Sequence, residues 1–306
     1  MIGRLAACWL LSGALILAGG PVPAQDMPAA YAAVIKSLGK TGDFRDGVLK
    51  LSVPRPDLRV TIRGRPAPTP LGFGGWLAFA QGDAGRHVLM GDLVLVEDEV
   101  NAVMSALLDQ GLDVTALHNH FFWEAPRVFY LHVHGLGAPA DLAGRLKPAI
   151  DLIDRAVARA PAAPGPAATP AAGLDTAALS RIIGHAGEAS GSVYKITIGR
   201  ADLTVRAHGA VINARMGLNT WAAFAGTDAD AMVAGDVAML DREVTPVLKA
   251  LRASGLEIVS IHHHMTGISP DVFFLHYYGT GPAARLAQGV RAALDSIGRH
   301  DGRSRD

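Results

Sequence analysis

The chain carries one long pattern twice, and this duplication limits its possible folds more than any other feature. Gly91-Asp92-Leu93-Val94-Leu95 is answered by Gly235-Asp236-Val237-Ala238-Met239. His118-Asn119-His120 is answered by His262-His263-His264, and His132-Val133-His134 by His276-Tyr277-Tyr278. Short solenoid repeats stack in series, whereas two copies of this length form a tandem or fused pseudo-dimer, each with its own core.

Within each copy the hydrophobic period changes in the same order. A short helix ends at a glycine, at Tyr31 to Leu38 before Gly39 and Leu179 to Ile183 before Gly184. Period-two runs follow: Val48-Leu49-Lys50-Leu51-Ser52-Val53 and Val193-Tyr194-Lys195-Ile196-Thr197-Ile198 read as half-buried strands. Further strands lie at Leu58 to Ile62 and Leu203 to Ala207, turned by Gly64 and Gly209, and then at Trp76 and Trp221, whose indoles are expected to anchor the core. The stretch Glu99 to Gln110 carries a helical stripe of Val100, Val103, Met104, Leu107 and Leu108, with Asp98 as its expected N-cap and Gly111 as its stop. Its partner runs from Glu243 to Ala253, after Asp241. Two histidine-bearing strands and a final helix complete each copy.

This order predicts an α+β fold of two tandem homologous repeats, each a mainly antiparallel sheet with helices packed on one face. The other face must be buried by the partner repeat or left as a site. The expected boundaries are 1–24 for a signal peptide, 25–155 for the first repeat, 156–173 for an Ala/Pro-rich linker and 174–300 for the second repeat.

Composition bounds the location and the partners. Arg4, the apolar stretch Leu5 to Ala18 and the small residues Val22-Pro23-Ala24 form a secretory signal pattern, so a periplasmic or secreted protein is expected. Leu5-Ala6-Ala7-Cys8 resembles a lipobox, but its cysteine precedes most of the apolar stretch, which argues against a lipid anchor. Cys8 is the only cysteine and falls inside this segment, so the mature protein has neither disulfides nor thiolate ligands. No later stretch approaches the length of an apolar transmembrane helix. A formal net charge of zero gives no electrostatic footing for nucleic acid as a partner. The expected partner is a metal ion or small-molecule ligand, and the sequence leaves the oligomeric state open.

The histidines carry the chemistry. In a strand, residues i and i+2 share a face, so His118 pairs with His120 and His132 with His134. A hairpin centred on Pro126 sets His120 opposite His132 and His118 opposite His134, which makes one four-imidazole patch. The same arithmetic around Pro270 sets His264 opposite His276 and His262 opposite Tyr278, with His263 turned away. A first metal site at His118, His120, His132 and His134 and a poorer second site at His262, His264 and His276 are therefore expected. Without thiolates, imidazole ligands point to zinc or copper. Glu124, Asp92, Asp236 and Asp271 are the acidic candidates beside them, whereas Asp92 and Asp236 also fit a turn-forming role. Phe121, Phe122 and Trp123 are expected at the mouth of the first patch, where the second copy has Met265, Thr266 and Gly267. His87, His185, His208 and His300 are expected to face solvent.

These residues also carry a family resemblance. Met90-Gly91-Asp92-Leu93-Val94-Leu95, Glu97-Asp98-Glu99-Val100, Thr115-Ala116-Leu117-His118-Asn119-His120, Pro126-Arg127 and His132-Val133-His134-Gly135 together resemble the LppY/LpqO family of exported bacterial proteins, a tandem domain of unknown function. The second copy departs at His263 and Tyr278. The resemblance implies an exported location and a tandem arrangement, and it supplies no activity. Three functional readings stand at this point: a divalent-metal-binding protein, a metal-dependent hydrolase with Glu124 or Asp92 as general base at an open metal position, and a non-enzymatic interaction protein with structural histidines. The His-Glu-x-x-His, Gly-x-Ser-x-Gly and P-loop motifs are all absent.

Overall fold

The computed structural model describes residues 26–159 and 173–298. The expected signal segment, residues 160–172 of the expected linker and His300 lie outside the described residues. The first repeat runs α1 (Ala29–Leu38), β1 (Gly42–Arg45), β2 (Val48–Val53), β3 (Val60–Ile62), β4 (Arg65–Ala67), β5 (Gly75–Gln81), β6 (His87–Val96), α2 (Glu97–Asp109), β7 (Asp113–His118), β8 (Glu124–Ala125), β9 (Val128–Gly137) and α3 (Pro139–Arg159). The second runs α4 (Thr176–Ile183), β10 (Glu188–Ser190), β11 (Val193–Gly199), β12 (Val205–Ala207), β13 (Ala210–Ile212), β14 (Asn219–Gly226), β15 (Ala231–Leu240), α5 (Asp241–Ala253), β16 (Glu257–His262), β17 (Val272–Gly281) and α6 (Ala283–Leu294). Helix α3 therefore continues through the first residues of the expected linker.

Each repeat forms a six-stranded antiparallel sheet, in the order β1-β2-β5-β6-β9-β7 and β10-β11-β14-β15-β17-β16. Alternation along the strands divides their side chains between two faces. In β9, Leu131 and Val133 join the core beneath the helices, together with Leu89, Leu93, Val103, Leu107 and Leu146. Leu275 and Tyr277 of β17 do the same in the second repeat, against Val247, Leu251 and Leu286. One member of the expected α2 stripe departs from it: Leu108 points outward and is 52% exposed.

The opposite sheet faces meet. The β3–β4 region of the first repeat, with Val60, Ile62, Leu71 and Phe73, packs with Val193, Ala223, Ala225 and Ala234 of the second. Reciprocally, Val205, Ala207, Ala210 and Ile212 of the β12–β13 hairpin pack with Val48, Ala78, Ala80 and Val88. The many alanines on these faces let backbone and hairpin approach closely. Burial by the partner repeat is thus how the fold covers the sheet face that the helices leave open.

The ends of the sheet-crossing helices are fixed by a device that the caps read from sequence misplace. Helices α2 and α5 start after Val96 and Leu240, so Asp98 and Asp241 lie within the first turn and are not N-caps. The carboxylates of Glu99 and Glu243 instead reach back to the Val96 and Leu240 N–H groups. Each carboxylate also receives a buried arginine, Arg55 at 2.6 Å and Arg200 at 2.8 Å, which Asp57 and Asp202 hold from the other side.

The strand register also differs from the Pro-centred hairpin. His118 lies opposite Tyr130, Ala116 opposite His132 and Asp113 opposite His134, with an irregularity between Val114 and Ala116. In the second repeat His262 lies opposite Phe274 and Ser260 opposite His276. The cause is the connection: Glu124 and Ala125 pair with Ile62 and Thr61 of β3, so residues 119–127 form a loop drawn onto that hairpin and not a tight turn. Because the displacement along β9 is even, His118 and His132 still share a face.

Candidate histidine centre

The register and the face-to-face packing bring six histidines of both repeats together: His118, His120, His132, His262, His264 and His276. The expected site in each repeat is replaced by one cluster between them. The rings of His118 and His262, which are equivalent in the two copies, stack with centroids 3.7 Å apart. His120 sits 3.6 Å from His276, and its counterpart His264 sits 4.3 Å from His132. Each loop histidine therefore meets the strand histidine of the other repeat. Tyr130 stacks on His120 and Phe274 on His264, which fixes both rings from behind.

Hydrogen bonds set the tautomers. The Nδ1 atoms of His120, His132, His264 and His276 lie 3.1–3.2 Å from the carbonyl oxygens of Gly72, Gly91, Gly217 and Gly235. A carbonyl only accepts, so each Nδ1 carries the hydrogen and each Nε2 presents a lone pair. Among the described residues, the His120 and His132 Nε2 atoms, His118 Nδ1 and both nitrogens of His262 have no hydrogen-bond partner. The His276 Nε2 faces His118 Nε2 at 3.2 Å, and the His264 Nε2 faces Asp236 Oδ2 at 3.5 Å. Among the described residues, three groups place their donor atoms within 4.8 Å of one another: His118, His120 and His276; His118, His132 and His262; Asp236, His262 and His264.

The backbone cradle is sterically exact at Gly235. A Cβ there would overlap the Tyr277 hydroxyl and the Trp221 carbonyl, both beside the carbonyl that anchors His276. Gly235→Ala is expected to lower stability by about 1–3 kcal/mol, read as a shifted urea midpoint at unchanged m-value.

Burial controls the charge. Desolvation holds all six imidazoles below the ordinary histidine range, His132 at about 4 and His276 at about 3, so they are neutral near pH 7. Desolvation pushes Asp92 and Asp236 well above the usual carboxylate range, with the Lys50 and Lys195 ammonium groups opposing it at Asp92 and Lys195 at Asp236. Asp236 is also held by the Leu275 N–H at 3.1 Å.

Other expected site residues fall elsewhere. His134 leaves the cluster: its neighbours are Asp113 at 4.0 Å and the His208 ring at 6.0 Å. Tyr278 packs with Phe121 in the inter-repeat core. Glu124 is buried, raised to about 7 by desolvation, and accepts from the Val128 N–H, outside all three donor groups. Asp92 lies directly opposite His132 in the ladder but also stands outside those groups, and Asp271 is exposed. Phe121 is buried against Phe73, while Phe122 and Trp123 are exposed, with Arg63 over the Trp123 ring. His185 and His208 face solvent as expected, but His87 is half-buried against Tyr31.

Two lysines were not anticipated. Lys50 lies 4.6 Å from the Trp76 ring centre and Lys195 lies 4.1 Å from that of Trp221. Each lines a surface cleft, of about 360 and 250 Å³. Desolvation lowers both to about 8. The tryptophans are therefore not simple core anchors: each half-buried indole lies under a lysine and reaches the glycine whose carbonyl anchors a loop histidine of the other repeat, Trp76 at Gly217 and Trp221 at Gly72. The signal was present in the sequence, as a lysine recurring mid-strand between apolar residues in both copies.

Fold and cluster together define a class: a tandem α+β pseudo-dimer that encloses polar side chains of both halves at its internal interface. The sequence matches the family described as Domain of Unknown Function (DUF1259) over residues 32–152 and again over 177–296, and the chain belongs to that family. No match was found among curated proteins. Among solved structures, EtuB from Clostridium kluyveri is 9% identical, with 84% of this chain and 89% of that chain covered and a TM-score of 0.20. A trimeric bacterial microcompartment shell protein, PduB, is 14% identical over 85% of this chain and 94% of that chain, with a TM-score of 0.21. At such scores the likeness carries no argument about assembly or activity. No helix among the described residues is long and apolar enough to cross a membrane.

Proposed function

We propose that this chain is an exported metal-binding protein whose zinc or copper site is formed between its two repeats. The observation that carries this reading is the set of buried imidazoles whose donor atoms gather within 4.8 Å of one another, several with nitrogens that have no partner among the described residues. A purely structural cluster that excludes water would leave each such group unsatisfied, at about 1–3 kcal/mol apiece. A divalent ion satisfies several at once, and the glycine carbonyls already orient the rings as the outer partners of metal-bound histidines do. The ligands are neutral near pH 7, as binding requires. The signal-like N-terminal pattern and the resemblance to LppY/LpqO proteins support the exported location.

Metal analysis tests this reading. Full-length protein purified without a histidine tag and reconstituted with Zn²⁺ or Cu²⁺ is expected to retain at least one ion per chain after dialysis. The His118→Ala/His120→Ala protein should retain less. A native metal content no higher than that of the double variant overturns the reading.

A further inference from the structure

We infer that the inter-repeat centre holds two metal ions of unequal character. This rests on the metal-binding reading above and adds to it the number and the distinct environments of the ions.

Two of the three donor groups share no residue: His118, His120 and His276 on one side, and Asp236, His262 and His264 on the other. Each supplies three donors, the usual protein complement of an open transition-metal site. The third group, His118, His132 and His262, spans the two, so the donor sets adjoin. His132 also lies 4.3 Å from His264 by ring centroid, where it can complete the second set. One ion leaves the opposite set unused. A single ion at His118, His120 and His276 leaves both nitrogens of His262 buried and unpartnered, and it leaves the His264 lone pair against the Asp236 carboxylate. A proton on Asp236 could join that pair, but it would leave both His262 nitrogens without a partner among the described residues.

The copies differ in one donor. Asp236 reaches His264, whereas among the described residues the equivalent Asp92 joins no donor group and its Oδ1 has no partner. One ion therefore sits among imidazoles alone and the other gains a carboxylate. Two divalent ions carry four positive charges against few nearby carboxylates, so a small bridging anion from solvent is the fitting additional ligand.

Zinc stoichiometry and copper paramagnetic resonance test this on the full chain. Native protein is expected to bind two Zn²⁺, and His120→Ala and Asp236→Ala one each. Loaded with Cu²⁺, the native protein should show far less resonance intensity than its copper content predicts, because adjacent ions couple. Each single-site variant should recover full intensity. The native count does not depend on the variants folding. One ion per native chain, or two with full uncoupled intensity, overturns the two-ion centre and leaves the inter-repeat site standing, while no retained ion overturns both.

Discussion

Metal-free protein brought from pH 7 to pH 4 is expected to unfold, with most of its stability lost below about pH 6.5. His118, His120, His132, His262, His264 and His276 are all held below their ordinary range by burial. In the unfolded chain they titrate near 6.5, so between that pH and the folded value the unfolded state binds more protons. The penalty is absent above 6.5, grows as pH falls, and is complete only below about 4 for His132 and about 3 for His276. Asp92, Asp236 and Glu124 act in the opposite direction, because burial raises them and they keep protons that the unfolded chain gives up. The depressed imidazoles outnumber the raised carboxyls, so the unfolded chain takes up more protons and stability falls as pH falls through this window. Each net proton taken up on unfolding removes about 1.4 kcal/mol per pH unit, a large share of a total stability of about 5–15 kcal/mol. Urea midpoints followed by circular dichroism across this range check the slope. A flat profile between pH 6.5 and 4.5 would mean that the imidazoles are solvated in the fold. Bound metal should displace the transition to lower pH, since it stabilises only the folded chain.

The repeat, the α+β class and the shared face of His118 and His132 were legible because each depends on local period. The inter-repeat merging was not. Period two says that His132 and His276 turn away from the helices, but it does not say that the faces of the two copies meet, which depends on long-range packing of Ala78, Ala80, Ala223 and Ala225. The Pro-centred register failed because Glu124 and Ala125 pair with β3, a contact that no local rule anticipates. His134 was grouped with His132 by spacing alone, yet along a strand the second residue lies nearly 7 Å farther on, enough to leave a compact centre. Arg55 and Arg200 were readable in principle. Arg-x-Asp recurs after the second strand of each copy, as Arg55-Pro56-Asp57 and Arg200-Ala201-Asp202, where an exposed turn needs neither charge.

The arginines give the second large effect. Arg200→Ala is expected to cost about 3–5 kcal/mol of unfolding free energy, because it strands a buried carboxylate. Only 3% of the Arg200 side chain and 4% of that of Glu243 are exposed, and the guanidinium also donates to the Ala238 carbonyl at 2.6 Å. With the arginine removed, Glu243 keeps the Leu240 and Gly298 N–H groups but loses its cation. Arg55→Ala should cost less, since Glu99 is 15% exposed and water can screen it. A double change, Arg200→Met with Glu243→Leu, removes both charges from the interior and should recover much of the loss. Urea unfolding of the three variants measures this directly. If Arg200→Ala cost less than 1 kcal/mol, or the double variant were worse than the single, the ion network would not be what ties α5 to the sheet. Because Arg200 touches β15 two residues beyond Asp236 and none of the histidines, metal content per folded chain should stay unchanged in these variants, which separates the scaffold from the centre it supports.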